Sequence, residues 1–154
     1  MSEPYAGLAQ VAIERAALMS YLAAQPQKAS HWHDWEGIGG RWRDFAWDTD
    51  LPPVLSRVDS WLDRSYRQVV RSVLSWSEAP AIGRCVYDEA AHLFTFGTLT
   101  LSENLNDILL FFAAARGLAA HLRDDQSGFA LVHNYLWRGG GETLVVMGLG
   151  ANGY

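Results

Sequence analysis

Apolar residues recur at helical spacing in three stretches of the chain and alternate with polar ones in four others. From Pro4, a first-turn proline, to about Ala24, Leu8, Val11, Leu18 and Leu22 fall on one stripe, and Pro26 ends the run. This predicts a first helix. Arg15 sits within its stripe, so its guanidinium must reach solvent or meet a carboxylate. Asp50 followed by Pro52 and Pro53 signals a second helix start. Val58, Trp61, Leu62, Val69, Val73 and Trp76 then keep helical period from Val54 to about Trp76. Arg57, Arg64, Arg67 and Arg71 gather on the opposite side, and Asp63 precedes Arg67 by one turn, the favourable order for a surface ion pair.

After Pro80 the period changes. Ile82–Tyr87 and Leu93–Leu101 read as strands joined by a turn over Asp88–His92. In the second of them Phe94, Phe96, Thr98 and Thr100 are expected on one face, Leu99 and Leu101 on the other, with Gly97 marking a bulge. Ser102 is the expected cap of a third helix running from Glu103 to Arg123, whose apolar residues cover more than half its circumference. Arg116 projects into that apolar stripe, where an arginine must be paired or line a cavity. Phe129–His133 and Thr143–Leu149 complete the pattern as strands. The predicted order is α-α-β-β-α-β-β, a single α+β domain over residues 1–154 with a mainly antiparallel four-stranded sheet and helices on one face.

Residues 27–50 keep no steady period. This long connector holds Trp32, Trp35, Trp42 and Trp47 among Asp34, Glu36, Asp44, Asp48 and Asp50, with a short strand expected around Arg41–Trp47. Connectors of this length in a compact domain tend to carry function. Tryptophan supplies large buried area at an interface and carboxylates steer encounter, so these residues suit a partner protein with a basic surface. The competing expectation is that the rings lid the core beside Trp61 and Trp76.

Composition narrows the classes. With 49% hydrophobic and 19% charged residues the chain is too apolar to be disordered. A net charge of −5 leaves no basic excess for displacing counterions from phosphates, so no nucleic acid is expected as partner. Ile108–Ala115, the longest apolar run, is too short to span a bilayer, and no membrane partner is expected. One cysteine, Cys85, permits no internal disulfide, and with no secretory leader pattern a cytoplasmic location is expected. Eleven arginines against one lysine suit ion-pair networks or interfaces.

Candidate chemistry is sparse. His31 and His33 alternate beside Asp34 and Glu36, as metal ligands on an extended backbone can, but Trp35 and Glu36 stand where hydrolase signatures with this start need an Asp-His pair, and no metal or other cofactor is expected. The glycines of Gly148–Gly153 match dinucleotide-binding spacing after a strand, yet the phosphate site needs a helix N-terminus that the one remaining residue does not supply. Cys85 and His92 flank a turn and could form a nucleophile–base pair, though a structural cysteine is the commoner arrangement. The expected function is therefore a non-catalytic protein-binding module, such as an acidic inhibitor, immunity protein or adaptor. Two alternatives stand beside it: a small metal-dependent enzyme, or one acting on an anion gripped by Arg116, and a homo-oligomeric complex subunit, for which a homodimer is one form.

Overall fold

In a computed structural model of the chain, residues 5–37, 39–40, 50–75, 83–135 and 142–153 are described. Strand β1 (Tyr5–Ala12) leads into helix α1 (Arg15–Ala23). The connector follows, with short 3-10 turns at Ala29–His31 and Trp35–Gly37 and a two-residue strand β2 (Gly39–Gly40). Helices α2 (Leu51–Trp61) and α3 (Tyr66–Leu74) come next, then hairpin β3 (Gly83–Asp88) and β4 (Leu93–Leu101). Helix α4 (Leu105–Arg116), a 3-10 turn at Gly117–His121, and strands β5 (Ser127–Asn134) and β6 (Glu142–Gly150) complete the chain. The sheet is antiparallel throughout, in the order β2-β6-β5-β1-β4-β3, with helices packed on one face. Strands β1, β3, β4 and β5 with their intervening helices form the β-α-β-β-α-β arrangement of two interleaved split β-α-β units, and β6 extends it at one edge.

The α+β domain with an antiparallel sheet agrees with expectation; the strand count and element order do not. Five long strands replace four, because the expected first helix begins as β1. Leu8 and Val11 fit a helical period, but Ala9, Val11 and Ile13 are buried on alternate residues. Alanine and glycine carry little strand propensity of their own, and the decisive term is two-sided pairing: β1 is the central strand, bonded to β4 on one side and β5 on the other. Arg15 starts α1 and pairs with Glu89 at the surface.

The expected long second helix is two. Ser65 accepts from the Gln68 amide while the Gln68 side chain accepts from the Ser65 amide, a reciprocal capping box that starts α3 afresh. Asp63 and Arg67 consequently do not share one helix. Helix α4 is shorter than expected and capped by Asn104, whose side chain accepts from the Asn106 amide; Ser102 supports the cap by accepting from the Asn104 amide. The irregularity in β4 lies beyond Gly97. Gly7 pairs with Thr98 but Tyr5 with Leu101, so two residues of β4 oppose Ala6 alone. That bulge reverses the alternation: Thr98 and Leu101 are buried and Leu99 is 52% exposed, where simple alternation puts Leu99 and Leu101 together.

The core lies between the sheet and α4. Ile108, Leu109, Phe111 and Phe112 are fully buried, and Phe111 meets Phe96 of the sheet edge to face. Among the described residues no helix is long and apolar enough to cross a membrane.

Candidate functional site

Where α4 ends, its last residue, Arg116, is held by the connector. Its Nη2 donates to Asp34 Oδ1 at 2.6 Å, and its guanidinium carbon lies 4.8 Å from the Trp32 ring centre and 5.1 Å from that of Trp35. The Arg116 side chain is 7% exposed, that of Asp34 48%. The expectation that this arginine is paired or lines a cavity is met on both counts. Desolvated cation–π contacts of this kind contribute up to about 2 kcal/mol.

Trp35 anchors the connector from below. It is 2% exposed, donates Nε1–H to the Ala29 carbonyl at 2.8 Å, and receives Trp32 edge to face with ring centres 5.7 Å apart. Asp59 of α2 accepts from both the amide and the hydroxyl of Ser30, fixing the preceding turn. Thus the first half of the Trp-rich segment is a latch. Of the expected partner contacts, Trp35 is core, Trp32 is half-buried against Arg116, Asp34 is exposed but ion-paired, and Glu36 is exposed. Trp42, Asp44, Trp47 and Asp48 lie outside the described residues, as does the strand expected there.

Beside this latch opens a cleft of about 500 Å³. It is lined by His31, Trp32 and Arg116, by Tyr66 and His121, and by the alanines of the Gly117–His121 turn. Tyr66, at the start of α3, stacks on Tyr21 with ring centres 4.4 Å apart and accepts the Gln27 amide at its hydroxyl. Tyr21 donates to the Ala114 carbonyl at 2.6 Å, tying α1 to α4. Burial raises both phenols well clear of neutral pH, so they remain protonated hydrogen-bonding groups. The lining carries no Lys, Asp or Glu among the described residues. Its one full charge, Arg116, is matched by Asp34.

His121 is pulled below its ordinary value near 6.5 by burial. The unfolded chain therefore takes up a proton first as pH falls. The stability contributed by neutral His121 is complete above that ordinary value and is lost as pH falls toward the lower folded value. Urea midpoints taken from about pH 7.5 down to about pH 5.5 should fall more for the wild type than for His121→Gln. Parallel curves would remove His121 as the cause.

The other candidates do not assemble. His33 is exposed, and no group of three or more metal-binding side chains occurs among the described residues. Cys85 lies opposite Phe96 in the hairpin, whereas His92 sits at the turn, 3.4 Å from the Tyr87 hydroxyl and 3.5 Å from Glu14. Desolvation raises the Cys85 thiol, outweighing nearby Arg71, the opposite of what a nucleophile needs. Gly150 and Gly153 bond to each other, closing a tight turn at the rim of the cleft.

Sequence reasoning found Arg116, Trp32 and Asp34 but missed Tyr66, His121 and Gly117. A methyl group built on Gly117 would overlap the Tyr66 hydroxyl and ring, so that glycine is required by close approach. Comparison of the chain with protein-family models, with curated proteins and with solved structures returned no match.

Proposed function

We propose that the protein is a non-catalytic binding module of the inhibitor, immunity-protein or adaptor kind, which occupies a basic surface on another protein and receives one uncharged aromatic side chain of that partner in the cleft beside Arg116. The observation that carries this reading is the cleft itself: about 500 Å³ in volume, walled by the rings of Trp32, Tyr66, His31 and His121, and charge-compensated by Asp34. Hot-spot pockets at interfaces combine aromatic walls with groups that complete a partner's hydrogen bonds. Asp34 and Glu36 on the adjoining segment stay exposed, and the net charge of −5 favours encounter with a basic surface.

Ala120 is exposed and lines the cleft, so Ala120→Trp fills it while leaving the core untouched. In affinity capture from the source cell, a partner held by the wild type is expected to be lost with Ala120→Trp and weakened by Glu36→Lys, with melting temperatures unchanged. Undiminished capture by Ala120→Trp would remove the cleft from the interface.

A further inference from the structure

Among the described residues, no helix packs on the face of the sheet turned away from the core. Among the described residues five large apolar side chains are exposed, and three of them, Val86 (47%), Leu99 (52%) and Val146 (44%), project from this face. A fourth, Tyr135, bonds its hydroxyl to the Leu99 carbonyl. Half-buried Leu8, Phe129 and Leu131 lie between them, and Leu8, Leu131 and Leu99 line a groove of about 420 Å³. Contiguous apolar surface of this kind marks an interaction site.

The register shows what fits there. One row across the open face runs Arg84, Gly97, Leu8, Leu131, Val146, and the next runs Val86, Thr95, Gln10, Phe129, Gly148. Each row has a hole on one side of β1 or the other. Gly97 is kept bare because a Cβ there would sit 2.6 Å from the Gly7 carbonyl oxygen, and a Cβ at Gly148 would meet nothing within 4 Å among the described residues. The knobs stand at mirror positions: Leu131 lies as far from β1 on one side as Gly97 on the other, and Val86 mirrors Gly148.

We infer that this open sheet face is the interface of a homodimer, two copies packing face to face about a twofold axis that runs along β1. Such an axis preserves the row and exchanges its two ends. It sets the partner's Leu131 over Gly97 and Val86 over the partner's Gly148, while Leu8 meets its own copy. Arg84 lies against the partner's Val146, covering it with its aliphatic stem. Knob meets hole at both glycines, which an arbitrary second surface would not supply. Five strands of six to nine residues present a projected face of roughly 600 Å². Side-chain relief raises that toward the ~800 Å² per partner of a standard interface. The cleft beside Arg116 lies on the helix side, so this proposal and the binding function fail separately.

Sedimentation velocity on the full chain should show a dimer across micromolar concentrations. Leu131→Asp, which puts a carboxylate into the Gly97 hole, should weaken it by roughly 100-fold or more. Cross-linking fixes the axis and remains readable if Leu131→Asp unfolds. In a Cys85→Ser background and with a short bifunctional thiol reagent, since facing sheets lie ~10 Å apart, Leu8→Cys should link to its own copy and Val146→Cys should not, whereas Val146→Cys mixed with Arg84→Cys should. A monomer at all concentrations overturns the proposal, including one that carries an apolar small molecule on this face. A dimer in which Leu8→Cys fails to link, or one indifferent to Leu131→Asp, overturns the arrangement.

Discussion

Trp35→Ala is expected to lower stability by about 4 kcal/mol, the cost of removing a fully buried indole from a packed site. Three things are lost together. The ring is 2% exposed, its Nε1–H bonds the Ala29 carbonyl at 2.8 Å, and its face carries the Arg116 guanidinium 5.1 Å away. The hole cannot close easily, because Asp59 fixes the turn at Ser30 on one side and α4 ends on the other. Whole domains are stable by only about 5–15 kcal/mol, so the variant should remain folded but melt roughly 10 °C lower. Trp35→Phe keeps most of the apolar area and loses the hydrogen bond, and should cost about 1–2 kcal/mol. Urea denaturation with unchanged m-value is the measurement. A loss below about 1 kcal/mol for the alanine variant would show that the connector is draped over the core and not built into it.

The second large effect is at a residue with no side chain. Gly117→Ala places a methyl group where the Tyr66 phenol already lies. Tyr66 is 3% exposed, stacked on Tyr21, and holds the Gln27 amide, so it has no free direction in which to retreat. Overpacking of this kind costs about 3 kcal/mol. The cause is separable by a double-mutant cycle. In a Tyr66→Ala background the added methyl should cost less than about 1 kcal/mol, because the ring it strikes is gone. Additive losses would instead place the penalty in the backbone of the Gly117–His121 turn.

These two residues show where the sequence is informative and where it is not. Strand β4 was readable over its full length, and the apolar girth of α4 marked it as the most buried helix, because both patterns are local. Arg116 announced itself as a charge inside an apolar stripe. Its carboxylate could not be chosen from sequence, since Asp34 stands 82 residues away in the chain. Strand β1 was concealed by composition: in Gly7-Leu8-Ala9-Gln10-Val11 two of the three buried positions are glycine and alanine, so the helical spacing of Leu8 and Val11 outweighed an alternation that was present. The break between α2 and α3 was legible in Ser65-x-x-Gln68, a local capping signal overridden by a periodicity that happens to continue across it. The cleft was out of reach. Much of its lining is alanine and glycine, types that carry no chemical signature, brought together from the ends of α1, α4 and β6, with Tyr66 the one residue from α3.

The position of β1 has a consequence for how the chain is made. It leaves the ribosome before both strands it pairs with: Gln10 bonds Thr95 across 85 residues, and the ladder to β5 spans a greater distance still. During synthesis the centre of the sheet is present without either neighbour until β4 and β5 emerge. Helices α1, α2 and α3 can form locally as they appear, but the surface on which they pack does not exist until β4 and β5 close around β1. The sheet therefore cannot close before β5 has emerged, and a ribosome that stalls ahead of β5 holds a chain whose central strand lacks a neighbour.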